Sequence, residues 1–316
     1  MAAIMEFEKP IQELENKIKE LRSFSSDKGI DLSNEINTLE KRAMEVRESI
    51  YSNLNSWQQV LISRHPERPN TYDYINYIFK DFIELHGDRC FGDDPAVVGG
   101  IGRFCGHAVT VIGHFKGKDT KENLARNFGM AHPEGFRKGM RLVKQAEKFK
   151  RPVICFIDTP GANPGIGAEE RGQFEAIASS ILTMATLKTP IITIVIGEGA
   201  SGGALAFGVG DRILMQEHTI YSVISPEGYA SILWKDSSRA REAAEAIRIT
   251  ASDILELGVA DRIIPEPLGG AHRNPEAAAE LLGTAMAETL EELLKLTTEE
   301  LMSQRYEKFR SIGNLK

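Results

Sequence analysis

Two apolar segments of this chain each run straight into a glycine-rich turn that opens a helical stretch. The first is Val153–Asp158, followed by Thr159-Pro160-Gly161-Ala162-Asn163-Pro164-Gly165. The second is Ile191–Ile196, followed by Gly197-Glu198-Gly199-Ala200-Ser201-Gly202-Gly203-Ala204. Continuous apolar strands of this kind belong to a sheet covered by helices on both faces, so they predict an α/β domain. A turn from strand to helix leaves backbone N–H groups unpaired at the positive end of the helix, where an oxyanion can sit. Glycine lets a ligand come close to that backbone. Two such turns in one domain point to chemistry done by main-chain amides rather than by a side-chain nucleophile.

The rest of the chain arranges itself around these segments. Phe7, Ile11, Leu14, Ile18 and Leu21, and then Ile36, Leu39, Ala43, Val46 and Ile50, recur at helical spacing on either side of the polar stretch Ser23–Asp31. They predict a helical hairpin, either packed on its own domain or serving as a subunit-contact arm. Arg64-His65-Pro66-Glu67-Arg68-Pro69 breaks the pattern. Thr71 then reads as the N-cap of a helix carrying Tyr72, Ile75, Phe79 and Phe82. Val97–Phe104 and Ala108–Phe115 alternate as a strand hairpin around Cys105-Gly106-His107.

From there strands and helices alternate. A polar loop, Lys116–His132, precedes a helix over Pro133–Phe149. A helix over Gly167–Leu187 separates the two apolar strands. Another begins near Ser201. Short strands near Ile213 and Tyr221, helices through Ser231–Leu257 and a strand at Val259–Ile264 complete the core. Asn274–Leu296 and Thr297–Phe309 read as C-terminal helices. These breaks divide the chain into an N-terminal helical hairpin (1–65), a core (66–270) and C-terminal helices (271–316).

With 45 acidic against 38 basic residues the chain carries a net charge of −7, which argues against a dedicated nucleic-acid site. Its three cysteines, Cys90, Cys105 and Cys155, form no CxxC pair, so no zinc site is expected and a reducing compartment is. Met1–Pro10 carries Glu6, Glu8 and Lys9 and lacks the apolar core of a signal peptide. No apolar run reaches membrane-spanning length. The expectation is a soluble, cytoplasmic protein.

Three motifs compete for the second glycine turn. Gly197, Gly199 and Gly202 satisfy G-x-G-x-x-G, a dinucleotide fingerprint, but they lie far from any opening βαβ unit. Gly199-Ala200-Ser201-Gly202-Gly203 satisfies G-x-S-x-G, the nucleophile elbow of serine hydrolases. His218 and His272 lie downstream as bases, and Asp211, Asp236, Asp253 and Asp261 as acids. The third reading makes Ser201 a small packing residue and gives the function to the N–H groups of Gly202 and Gly203, with Gly161 and Ala162 supplying a matching pair. A plainer alternative is that both turns only let helices start close to the sheet.

At Ile157–Ala162 and Gly197–Ala204 the chain resembles the alpha-subunit family of the bacterial-type acetyl-coenzyme A carboxylase carboxyltransferase. The likeness extends to Arg126-Asn127-Phe128-Gly129-Met130, Gly167–Gln173, Tyr221–Gly228 and Ile264–Arg273, and so to essentially the whole chain. It implies a crotonase-like fold of repeated ββα units, with oxyanion holes built from backbone N–H groups. It implies a beta subunit holding the zinc ribbon, in an α2β2 assembly that works with the biotin carboxyl carrier protein and the ATP-dependent biotin carboxylase. The implied reaction is carboxyl transfer from carboxybiotin, carried on that carrier and not on this chain, to acetyl-coenzyme A, giving malonyl-coenzyme A for fatty acid synthesis.

Carried onto these residues, the amides of Gly161 or Ala162 and of Gly202 or Gly203 would hold the biotin ureido oxygen. Loss of the carboxylate leaves negative charge on that oxygen. The acetyl methyl proton can pass to biotin itself, so no side-chain base is obligatory. Asn163 stands where many relatives would carry an aromatic residue. Lys116, Lys118, Lys121 and Arg126 make a basic loop that reads either as a coenzyme A phosphate site, with Lys116, Lys118 and Arg126 as ligands, or as a solvated charged loop. Arg137, Lys138, Arg141, Lys144 and Lys148 read as a solvated helix face.

Overall fold

A computed structural model describes residues 5–313; the first four residues of the segment read for a leader lie outside the described residues. In chain order the helices are α1 (Lys9–Lys28), α2 (Ser33–Tyr51), α3 (Ser56–Ser63), α4 (Thr71–Ile78), α5 (Thr120–Ala125), α6 (Pro133–Lys148) and α7 (Ile166–Glu170). They continue as α8 (Gln173–Thr186), α9 (Ser201–Leu205), α10 (Pro226–Trp234), α11 (Ala240–Ala246), α12 (Ala251–Glu256), α13 (Pro275–Leu294) and α14 (Thr298–Ser311). The strands are β1 (Lys80–Glu84), β2 (Val97–Phe104), β3 (His107–His114), β4 (Val153–Thr159), β5 (Ile191–Ala200), β6 (Arg212–Gln216), β7 (Ile220–Ser222) and β8 (Arg262–Ile264).

These strands form one sheet in the order β1-β2-β3-β4-β5-β6-β8, with β7 added to the far end of β5. β1–β2 and β2–β3 pair antiparallel, and every pairing from β3 onward is parallel. The parallel part is buried on both faces because β4 and β5 carry apolar side chains at successive positions. Ile154, Phe156, Ile192 and Ile194 face Tyr74 and Ile75 of α4 and Leu282, Met286 and Leu290 of α13. Val153, Cys155 and Ile191 face Phe136, Met140 and Val143 of α6 and Met184 of α8. Each such isoleucine or phenylalanine contributes about 2 kcal/mol by leaving water, which makes β4 and β5 the fixed frame of the molecule.

Several boundaries differ from the sequence expectation. Asn70, not Thr71, caps α4: its side chain accepts from the Tyr72 and Asp73 N–H groups, and the Asp73 carboxylate accepts from the Asn70 N–H. That helix stops at Ile78, and Lys80–Glu84 pairs with β2 instead of continuing it. Phe79 and Phe82 therefore belong to a strand and its approach, where alternation and helical spacing coincide over so few residues. The single helix expected over Gly167–Leu187 is two, broken at Gly172, whose φ of +85° only glycine adopts freely. The loop Lys116–His132 contains α5.

The helical hairpin forms, turning at Gly29 with φ +63°. Its base is packed on the body: Met5, Ile11, Tyr51 and Ile62 share a buried cluster. Tyr51 donates to Glu8 at 2.8 Å, and Arg273 reaches Glu8 and Glu15 from the far end of the core. The face of α6 expected to be solvated is partly used. Lys138 is buried and donates to Asp93 (2.6 Å) and to the Asp94 carbonyl (2.8 Å), while Arg141 donates to the Gly87 carbonyl. These cations fasten the loop ahead of β2. Among the described residues no helix is long and apolar enough to cross a membrane.

Candidate active site

The carboxyl ends of β4 and β5 carry the two glycine turns side by side. A Cβ placed on Gly203 would lie 2.4 Å from the Gly161 carbonyl carbon and 2.5 Å from the Ala162 nitrogen, and one on Gly161 would lie 3.7 Å from Ser201 Cβ. The second turn thus rests directly on the peptide of the first, a contact that only glycine at 203 allows. Gly161 itself has φ +150°, again a glycine conformation.

The amides divide into used and unused. The Gly161 N–H donates to Thr159 Oγ1 at 3.1 Å, and the same hydroxyl donates to the Gly161 carbonyl at 2.6 Å. Asn163 N–H donates to the Ala131 carbonyl, and Gln173 Nε2 ties the Ala131 and Asn163 carbonyls together at 2.8 and 2.9 Å. Asn163 also accepts from the Gly165 N–H at 2.9 Å, so this position shapes the loop. Among the described residues the Ala162, Gly202 and Gly203 N–H groups donate no hydrogen bond. Ala162 and Gly202 are partly exposed, whereas Gly203 is buried.

At Pro160 opens a cavity of about 470 Å³, lined by Phe128 and by the charged side chains of Arg64, Lys116, Lys118, Asp158, Glu198 and Glu227. Lys116 Nζ lies 2.9 Å from Asp158 Oδ1 and donates to Glu198 Oε1 at 3.0 Å. Arg64 donates to Glu198 Oε2 at 2.6 Å and to Glu227 Oε1 at 2.7 Å. Burial opposes charge on Glu198, yet Lys116 and Arg64 outweigh it and hold the carboxyl below its ordinary range. Burial likewise opposes charge on Lys116, and its two carboxylate partners hold its ammonium above the ordinary range. Sequence reasoning missed Asp158, Glu198, Arg64 and Glu227. The signal was present, since a carboxylate inside a fully buried strand requires a cationic partner.

Of the three cations expected at coenzyme A phosphates, Lys116 and Lys118 line this cavity and Arg126 does not. Lys116 is turned into the cavity floor between two carboxylates. Lys118 pairs with Asp73 at 2.7 Å on the surface. Arg126 lies 3.6 Å over the Phe115 ring and donates to the Pro95 carbonyl, lining a different hollow.

The residues of the G-x-S-x-G reading are dispersed. Ser201 is exposed with φ +60°, but no histidine hydrogen-bonds to it among the described residues. The His218 ring meets Tyr51 edge-on at 5.6 Å, and His272 stacks on His65 at 4.0 Å. Asp211 accepts from buried Arg305, Asp261 pairs with Lys308, and Asp236 and Asp253 cap helix starts. Gly197 and Gly199 lie inside β5, where a Cβ would strike Asp158 at 2.3 Å and Tyr221 at 2.6 Å, so their role is close packing rather than cradling a dinucleotide.

Comparisons with known proteins give the family. The model of the family described as acetyl co-enzyme A carboxylase carboxyltransferase-like matches residues 4–313. The chain belongs to that family. A Heliobacterium modesticaldum protein named acetyl-coenzyme A carboxylase carboxyl transferase subunit alpha is 61% identical over 313 residues, covering 99% of this chain and 93% of its own. A Listeria monocytogenes protein of the same name is 60% identical, covering 99% and 98%.

Among solved structures, a Pseudomonas malonate decarboxylase hetero-tetramer in complex with coenzyme A superposes with a TM-score of 0.57 at 18% identity, covering 70% of this chain and 89% of that one. The transcarboxylase 12S core with methylmalonyl-coenzyme A bound gives 0.54 at 20%, covering 69% and 43%. At such identities they show the fold, which is the crotonase-like one expected. A serine hydrolase is not supported.

Proposed function

We propose that this chain, with a beta-type partner in an α2β2 assembly, transfers a carboxyl group from carboxybiotin on a biotin carboxyl carrier protein to acetyl-coenzyme A, giving malonyl-coenzyme A. The observation that carries the reading is the contact of Gly203 with the Gly161–Ala162 peptide, which puts unpaired amides from two turns next to one another. The ureido oxygen of biotin is a single acceptor able to take more than one N–H donor, and these residues fit it. Carboxybiotin, when bound, supplies the activated carboxyl group. The Gly161 amide is engaged by Thr159 and Gly203 is buried, which favours Ala162 and Gly202 as the donors.

Fixed N–H donors stabilise developing negative charge without reorganising as it appears, and removing one such donor costs about 3 kcal/mol, roughly a hundredfold in rate. Of the two cations on the cavity at Pro160, Lys118, half exposed and paired with the single carboxylate of Asp73, is better placed to turn towards coenzyme A phosphates than Lys116, which is held between two buried carboxylates. The organisation into a hairpin (1–65), a transferase core (66–270) and C-terminal helices (271–316) belongs to the same proposal, as does a cytoplasmic location, where its acyl substrate and carrier meet.

Reconstitution tests the reading. Malonyl-coenzyme A is expected only when this chain, a beta-type subunit and a carboxylated biotin carrier are combined. Product from this chain alone, or none from the complete mixture, contradicts it.

A further inference from the structure

The ladder between β4 and β5 breaks where it matters most. Ile157 pairs with Val195, but the next partners are Thr159 and Gly199, so Asp158 stands opposite Ile196, Gly197 and Glu198. Between the rungs Ile157–Val195 and Thr159–Gly199 no backbone pairing therefore sets how Asp158 lies against Glu198, just before the two amide turns. Side chains bridge the gap. Asp158 Oδ1 accepts from the Glu198 N–H at 3.1 Å, and Lys116, entering from the end of β3, binds Asp158 and Glu198 at 2.9 and 3.0 Å. Gly197 makes this approach possible, because a Cβ there would meet Asp158 Oδ1 at 2.3 Å. Gly129, with φ +76°, closes over the Lys116 stem; a Cβ on it would lie 2.8 Å from Lys116 Cγ. The lysine stem thus packs closely under the Gly129 backbone.

We propose that Lys116 is a positioning residue for carboxyl transfer: it staples Asp158 to Glu198 across the broken ladder and so sets the separation of the two amide turns. Asp158 lies three residues before Gly161 and Glu198 four before Gly202, so a shift at the staple is passed to both turns through short, buried main chain. Arg64 completes the arrangement by binding the other Glu198 oxygen and Glu227 of α10. Five charged groups face one another here, and removing the lysine leaves Asp158 without its cation beside Glu198, with Arg64 alone to neutralise both Glu198 and Glu227, which loosens the strands.

This inference rests on the carboxyltransferase reading for its activity arm and is independent of it in its structural arm. Lys116→Met, Lys116→Arg and the double variant Lys116→Met/Glu198→Gln are compared with the native chain, each checked for assembly with the beta-type partner. Hydrogen exchange is read at the protected amides of Glu198, Gly161 and Asn163. In Lys116→Met these three are expected to exchange about tenfold faster together, while amides of α13 are unchanged. In the reconstituted enzyme kcat is expected to fall about tenfold or more with the KM for acetyl-coenzyme A within about twofold. The Glu198→Gln change added to Lys116→Met should restore about fivefold of that loss, because an amide can donate to Asp158 where a carboxylate repels it. Lys116→Arg should retain the charge and the exchange protection. Unchanged exchange at Glu198 and Gly161 in Lys116→Met overturns the proposal, as does loss of protection without recovery in the double variant. An inactive native mixture would instead contradict the proposed function while leaving the exchange result to judge the staple.

Discussion

The two glycine turns reach the same end by different physics. The β4 turn is hydrogen-bonded into shape: Thr159 clasps both ends of the Gly161 peptide, and Gln173 and Asn163 tie the following loop to Ala131 and Gly165. The β5 turn is tied by side chains at Glu198, and beyond it has no comparable clasp. Helix α9 is five residues long and has no side-chain cap, and its first residue, Ser201, sits at φ +60°. What positions it is close packing: Gly203 on the first turn, Gly199 on Tyr221 and Ile157, and Phe207 on His114. A bonded turn tolerates bulk and fails when a donor or acceptor is removed. A packed turn fails when a methyl group is added.

Gly203→Ala breaks the comparison most severely. Its Cβ has no room against the Gly161 carbonyl carbon, so both turns must part. Carboxyl transfer should fall about a hundredfold or more and unfolding stability by about 3 kcal/mol, measured by malonyl-coenzyme A formation and by denaturant titration.

Acid should act on the packed turn. His114 is fully buried, its ring 5.1 Å from that of Phe207, and burial pushes its pKa down to about 4 from 6.5. The unfolded chain takes up a proton near 6.5 and the folded chain resists until about 4. Stability is therefore fully present above that window and is lost as pH falls through it, by roughly 3 kcal/mol in total. His114→Leu should lose distinctly less stability than the native chain between pH 7 and 4.5 in parallel urea titrations. His272, lowered to about 3 mainly by burial, keeps part of the acid effect in both.

Thr159→Val sharpens the other side. It removes the clasp of the bonded turn and leaves the buried Gly161 N–H without an acceptor, a cost of about 1–3 kcal/mol. Transfer should drop about tenfold, with little change in assembly, in initial-rate measurements.

Ser201→Ala should have the smallest effect, within about threefold in transfer rate, since the residue contributes its backbone and makes no side-chain hydrogen bond to a histidine. A loss of three orders of magnitude, as expected for a catalytic nucleophile, would reopen the hydrolase reading.

Much of this was legible in the sequence, for reasons that differ by element. β4 and β5 show as uninterrupted apolar runs because both faces are covered, and the hairpin shows because its seam repeats over many residues. Lys80–Glu84 was hidden because five residues do not separate helical from alternating spacing. The break at Gly172 was hidden because the apolar pattern continues across it. At the site, glycine composition pointed to the turns, but which amides are free depends on where Thr159 Oγ1 lies. The roles of Lys116 and Glu198 depend on a register break that leaves no local mark. Arg126 reads as basic and packs as a cation over Phe115, a contact 11 residues apart in sequence that no motif announces.

The central claim is that main-chain N–H groups of Ala162 and Gly202 act on one oxygen, and replacing each by an ester linkage tests it most directly. Lactic acid at position 162 and glycolic acid at position 202 delete one N–H apiece and keep every side chain. Each substitution should lower carboxyl transfer in the reconstituted enzyme about a hundredfold, with assembly and the KM for acetyl-coenzyme A preserved. Near-native turnover with either ester would contradict the account.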